Sequence, residues 1–314
     1  MVTKKILVSA LKKMLEIRLT EKLIAEDYIK NNIKSFLHLS IGQEATATGI
    51  SFALNKQDLF FGNHRSHGHY LAKNGNWEKM VYEIYGDSRG CCKGYGGSMH
   101  MLDKKVGFVG STPILGSAVP IASGIAAAIK FNKQKNIIAT FVGDGSAEEG
   151  GFYESVNLAG LHKLPLMIVL EDNLFSVETS HKIRKVKGYN FNNLFKNGMS
   201  AQYEVVDGQN FIEVFNKTKK LKKDMQKKQK IGILHCKVRR AYAHSGPNID
   251  LNKKYRKVEN DTNSTQFKND AIEIMKKLLI KKGITKDEII KMEIEFTKKL
   301  VTKFNKVRKT IKIN

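Results

Sequence analysis

Residues Thr140–Thr179 read TFVGDGSAEEGGFYESVNLAGLHKLPLMIVLEDNLFSVET. The apolar run Ile137–Val142 ends in Gly143-Asp144-Gly145, and a helical pattern follows with Phe152, Val156, Leu158 and Leu161 placed on one face. Pro165 ends the connection, and a second apolar run, Leu166–Leu170, stops at Glu171-Asp172-Asn173. Strand, tight turn, helix and strand make a right-handed crossover unit, which brings both strand ends to the same edge of a parallel sheet. Asp144 and Asn173, 29 positions apart (173 − 144), therefore come out side by side. A carboxylate and an amide oxygen are hard ligands that suit Mg²⁺ when waters and phosphate oxygens complete its shell. The glycines around Asp144 let backbone N–H groups approach a phosphate closely. The stretch predicts a metal-bridged diphosphate site.

The remaining composition sets bounds. A chain of 314 residues with 41% hydrophobic and 27% charged content has the makeup of a soluble globular protein with a substantial core. No apolar run approaches the ~20 residues that span a bilayer, so a membrane is not an expected partner. The N-terminus turns amphipathic at once and has no small-residue cleavage site. Cys91, Cys92 and Cys236 have neither disulfide-framework nor zinc spacing; they read as reduced thiols of a cytoplasmic protein. The net charge of +24 comes largely from lysines of the last hundred residues. That tract lacks aromatic interleaving and any nucleic-acid module, so it reads as a solvated basic surface rather than a nucleic-acid site.

In chain order, Val8–Asn31 has helix-period apolar positions. Gly42-Gln43-Glu44 opens a small-residue helix, with Gln43 and Glu44 expected to cap it. A short apolar run from Asp58 leads into His64-Arg65-Ser66-His67-Gly68-His69. Arg65 can hold a phosphate by a charge-assisted fork, and the histidines suit proton transfer or anion binding better than a metal, because no carboxylate or cysteine is near in sequence. Gly90–Met101, GCCKGYGGSMHM, reads as a loop packed closely against something. Val119–Ile129 is rich in Ala and Gly and predicts a helix in close contact with another. Ser180–Gly198 is polar and reads as loop. Two β-like runs, Tyr203–Val206 and Ile231–Val238, flank a lysine-rich amphipathic helix over Phe211–Lys228. The second run brings Arg240 and His244 to the sheet edge that holds Asp144. Residues Ala271–Ile311 are helical, broken by a turn at Gly283. The expected fold class is α/β, a parallel sheet flanked by helices, as one domain over 1–314 with a helical C-terminal extension at 268–314.

The spacing from Gly-Asp-Gly to Asn resembles the thiamine diphosphate motif. Six stretches narrow the resemblance by their order: HLSIGQEA, NHRSHGHYLAKNG, GCCKGYGGSMHM, LGSAVPIASGIA, GDGSAEEGGFYESVNLAGLHKLP and RRAYAHS. Together they are similar to the alpha subunits of the thiamine diphosphate-dependent 2-oxo acid dehydrogenases of pyruvate and acetoin type, over about residues 10 to 300.

The resemblance implies roles residue by residue. Asp144 and the Asn173 side chain would ligate Mg²⁺, with the Phe175 backbone carbonyl as a further ligand. Gly143, Gly145 and Ser146 would meet the diphosphate through the backbone, and Arg65 and Arg240 would hold its oxygens. His64 stands where many members have tyrosine. Leu115 matches the position whose backbone supports the aminopyrimidine. His244 matches the active-site histidine of a loop, and His67 is a second candidate for proton handling. The family pattern RYHGHS is RAYAHS here, with Tyr242 in place of the first histidine. Ser245 matches a serine phosphorylated in some members, but nothing around it carries over to predict regulation. The implied reaction is decarboxylation of a small-molecule 2-oxo acid, with acyl transfer to lipoamide on a lipoyl acyltransferase. The glutamate that protonates the aminopyrimidine belongs, in this family, to a beta subunit, so two alpha and two beta chains are expected to form the enzyme. The altered loop also motivates an acyl or ketol transferase acting on an aldehyde or sugar. A non-catalytic assembly subunit is a third reading, which the retained Asp144, Asn173, Arg65, Arg240 and His244 oppose.

Overall fold

The computed structural model describes residues 2–250, 255 and 270–311. A sheet of six parallel strands organises it, in the order β2-β1-β3-β4-β8-β7. The strands are β1 (Leu59–Gly62), β2 (Phe108–Ser111), β3 (Ile138–Gly143), β4 (Leu166–Asp172), β7 (Gln202–Asp207) and β8 (Gly232–Lys237). The two-residue strands β5 (Phe175–Ser176) and β6 (Thr179–Ser180) pair with each other outside it. Every residue of β4 is buried. This is the signature of a central parallel strand covered on both faces, and it explains why the run is apolar without alternation.

Alternate side chains feed two cores. Ala139, Phe141, Met167, Val169 and Leu234 point to one face. There they meet α1 (Lys4–Ile29), α2 (Glu44–Ala53), α4 (Trp77–Ile84) and α8 (Phe211–Lys228). Ile138, Val142, Ile168, Leu170 and Ile233 point to the other face, under α5 (Ala118–Phe131) and α6 (Gly150–Leu161). The crossover helix α6 buries Phe152, Ser155, Val156 and Ala159. Leu158 and Leu161 were expected on that face but are 48% and 74% exposed. The i, i+4 pair Phe152 and Val156 sets the inner stripe, and Leu158 falls outside it. On α5 the outward face carries Pro120, Ile121, Gly124, Ala127, Ala128 and Phe131, with Phe131 87% exposed.

The strand order reverses between the parallel strands β1 and β3, the switch point, so the crevice lies beyond their carboxyl ends. α3 (Ser66–Ala72) starts directly after β1. α2 starts at Glu44, whose carboxylate accepts the Gly42 N–H at 3.1 Å and pairs with Arg18. Gln43, expected to cap as well, makes no capping bond and turns toward the crevice instead. The glycine-dense loop is shaped by one buried side chain. Glu83, on α4, accepts backbone N–H groups from Cys92 at 2.6 Å, Gly94 at 3.0 Å, Gly96 at 2.6 Å and Gly97 at 3.3 Å. All three cysteines are free thiols.

α9 (Ala271–Lys281) and α10 (Lys286–Lys309) form the helical C-terminal part, with Thr285 and Glu288 making a capping box. They pack on α1 through Met275, Leu279 and Ile289. Residues 268, 269 and 312–314 of the expected extension lie outside the described residues. Among the described residues no helix is long and apolar enough to cross a membrane.

Candidate active site

Four of the strands bring most of the crevice residues. Asn63, His64 and Arg65 follow β1; Gly143–Ser146 follow β3; Asn173 and Phe175 follow β4; Arg240 and His244 follow β8. Between them lies a narrow cavity of about 40 Å³, open enough to hold more than one water.

The crossover unit sets Asp144 against Asn173 as its connectivity dictates. Asp144 Oδ1 accepts from Asn173 Nδ2 at 3.2 Å and from its backbone N–H at 3.4 Å. Asp144 is fully buried, and the buried Asn173 Oδ1 has no hydrogen-bond partner among the described residues. An unpartnered buried acceptor beside a carboxylate is the arrangement a hard cation satisfies. Gly145 leaves no room for a side chain, because a Cβ there would lie 2.7 Å from Ser176 Cβ. At Gly143 a Cβ would meet nothing within 4 Å, so the missing side chain leaves open space beside Asp144. Hard oxygens, open backbone and two arginines fit a metal-bound diphosphate, so the residues suit the group that the motif implies.

The arginines already have partners inside the chain. Arg65 donates to Leu39 O at 3.0 Å and to His244 O at 2.8 Å. Arg240, 1% exposed, donates to Val177 O at 2.6 Å, Asp250 Oδ2 at 2.9 Å and the Tyr255 hydroxyl at 2.9 Å. Its Nε is buried without a partner among the described residues. Asp250 thus offers Arg240 the anionic contact that a diphosphate would replace.

Three imidazoles cluster at the other end. The His38 ring lies 4.9 Å from His64 and 5.2 Å from His244, and the latter two are 5.3 Å apart. Burial, then the nearby Arg65 charge, pushes His38 down to about 3 and His244 down to about 4. The same two causes hold His64 well below the usual imidazole range. All three are neutral at pH 7, able to accept or donate a proton without adding charge.

Leu115 lines the crevice from the turn after β2. His67 does not line it. It is fully buried on α3, with Nδ1 3.0 Å from Glu21 Oε1 and Nε2 2.8 Å from Ser98 Oγ. Both nitrogens serve that link between α1 and the glycine-dense loop. His69 is held likewise, 3.0 Å from Glu171 Oε1.

Several residues that line the crevice or touch its lining escaped the sequence reading. His38 and Gln43 sit inside a quoted motif, but nothing in their spacing aims them at the sheet edge. Glu171, the penultimate residue of β4, also lines the crevice. His181 and Arg184 belong to a tract read as loop; it contains a short helix, α7 (His181–Arg184), whose side chains reach Asp144.

A sequence model of the family described as dehydrogenase E1 component matches residues 12–313. The chain is 34% identical over 241 residues to the alpha subunit of acetoin:2,6-dichlorophenolindophenol oxidoreductase of Cupriavidus necator, covering 77% of this chain and 72% of the relative. It is 31% identical over 302 residues to the pyruvate dehydrogenase E1 component subunit alpha of Rickettsia typhi, covering 92% and 90%. The corresponding acetoin subunit of Bacillus subtilis is 39% identical over 167 residues, covering 53% and 50%.

Proposed function

Because the chain belongs to the dehydrogenase E1 component family, we propose that it is the alpha subunit of a thiamine diphosphate-dependent 2-oxo acid dehydrogenase of pyruvate or acetoin type. It works in the cytoplasm with a beta subunit, as two alpha and two beta chains. The product acyl group passes to the lipoamide of a lipoyl acyltransferase. The observation that carries the reading is the Asp144–Asn173 pair at the ends of β3 and β4, with Asn173 Oδ1 unpartnered among the described residues and open space at Gly143.

Bound thiamine diphosphate would supply the nucleophilic carbon that attacks the 2-carbonyl and the electron sink for the pair left behind when CO₂ departs. This chain's residues hold and surround it. Asp144, Asn173 and the Phe175 carbonyl would take Mg²⁺. Gly143, Gly145 and Ser146 would offer backbone to the diphosphate, while Arg65 and Arg240 balance its charge. Leu115 would support the aminopyrimidine through its backbone. His244 and His64 present neutral imidazoles at the far end, where His244 moves a proton near the reacting carbonyl. His67 positions the glycine-dense loop and α1 rather than the substrate.

Reconstitution tests the reading. The chain combined with a candidate beta chain should release CO₂ from pyruvate, or reduce 2,6-dichlorophenolindophenol with acetoin, only when thiamine diphosphate and Mg²⁺ are present. Full activity of the purified alpha chain alone would overturn the subunit reading. Turnover with sugar acceptors and none with oxo acids would favour a ketol transferase.

A further inference from the structure

After Asn173 the chain folds back through β5 and β6, and α7 comes to rest against the end of β3. Two of its side chains reach the same carboxylate oxygen. His181 Nε2 lies 2.9 Å from Asp144 Oδ2 and 3.3 Å from Asp172 Oδ1. Arg184 donates from one terminal nitrogen to Asp144 Oδ2 and from the other to Glu148 Oε1. Lys185 Nζ joins that glutamate at 2.6 Å. Nothing in the proposed reaction uses these groups, yet they occupy the oxygen a metal needs.

We propose that Arg184 is a built-in competitor for the cation at Asp144, seated on the carboxylate in the metal-free chain and handed over to Glu148 when a divalent metal enters. This rests on the reading of Asp144 and Asn173 as the metal site. Three physical points carry it. A fully buried carboxylate needs a counter-charge whenever no metal supplies one. The lone pairs of Asp144 Oδ2 are taken up by the Arg184 and His181 donors, so they are not open to Mg²⁺ at a bonding distance of ~2.1 Å. A guanidinium and a dication on one carboxylate also repel each other at short range. The second seat exists already, because Arg184 is forked between Asp144 and Glu148, so release requires a shift of one arm rather than a new fold. The four-residue helix that carries it and the residues just after it are shallowly anchored, with Ile183 79% and Val186 78% exposed.

The two acceptors predict opposite effects. Mn²⁺, titrated into the full chain and followed by the electron paramagnetic resonance of the free ion, should bind Arg184→Gln roughly tenfold tighter than wild type, the scale of one charge-assisted hydrogen bond withdrawn. Glu148→Gln removes the second seat and should bind several-fold more weakly. In the wild-type chain, Mn²⁺ should raise amide hydrogen exchange over residues 181–185, a readout that needs no variant. Binding that Asp144→Asn abolishes but Arg184→Gln leaves unchanged would overturn this inference and spare the functional reading. Protection of 181–185 by Mn²⁺ would do the same. Absence of any Asp144-dependent binding in both wild type and Arg184→Gln would overturn both.

Discussion

Asn173 shows what a single atom contributes. Its Oδ1 is buried with no partner among the described residues, a cost of about 1–3 kcal/mol that a bound cation removes. Asn173→Ala should weaken Mg²⁺-dependent thiamine diphosphate binding by roughly ten- to a hundredfold, as loss of metal-site groups does elsewhere; calorimetric titration of the chain with its beta partner measures it. His67 should behave differently. His67→Ala leaves the buried Glu21 carboxylate short of a partner and should cost about 2–4 kcal/mol in urea unfolding. The imidazole cluster makes a pH prediction. His38 and His244 are pushed down to about 3 and about 4, so between those values and about 6.5 the unfolded chain binds more protons than the native one. Their contribution is fully present above pH 6.5 and is lost as the pH falls toward 4. Melting temperatures at pH 7, 5.5 and 4.5 should decline, and His38→Asn should flatten the decline. Asp144 and Asn173 were legible in the sequence because the connection between two parallel strands fixes their neighbourhood. His38 and Arg184 were not, because their partners come from other turns of the chain, with no period to announce the encounter.

At the scale of elements, apolar runs and turn residues located the sheet strands from β3 onward and the lysine-rich α8. What they left open was which way an outer helix faces. α6 has enough leucine to suggest a wide buried stripe, but only the stripe through Phe152 and Val156 meets the sheet. The loops were harder, since their shape is set by partners far along the chain. Gly42 is one such point. Its φ of +100° and the 2.5 Å between a built Cβ and Arg239 O leave no room for a side chain. That close approach seats the loop before α2 against the exit of β8, where Arg240 begins. Gly42→Ala should cost about 2 kcal/mol or more, combining backbone strain with a clash against main chain. Denaturant unfolding gives the loss, and cofactor titration should show Arg240 displaced through a weaker diphosphate affinity.

For the whole molecule, the fold class was legible because a doubly covered parallel sheet follows from continuous apolar strands alternating with helices. The sequence could not show which surfaces stay uncovered. Ile121, Gly124 and Phe131 of α5 and Leu158 and Leu161 of α6 stand on the outside. A Cβ at Gly124 would meet nothing within 4 Å, so packing inside the chain does not explain that glycine. Such an apolar face, with Lys130 and Glu154 at its margins, suits a subunit contact. Phe131→Glu with Leu161→Glu should leave the melting temperature of the isolated chain within a few degrees of wild type, yet shift it to smaller species when mixed with the beta chain. Light scattering after size-exclusion separation distinguishes the two.

The Glu83 carboxylate that gathers four N–H groups has a consequence for how the chain tolerates change. The loop it gathers takes its shape from a helix rather than from its own side chains. Cys92 can then be exchanged for many residues other than proline without altering the loop's course, whereas Gly94, Gly96 and Gly97 stay glycine, because a Cβ there would lie 2.5 Å from Gly86 O, 2.2 Å from His100 O and 2.4 Å from Ser35 Oγ. Substitution at Glu83, one position on another element, removes the instruction for all of them together.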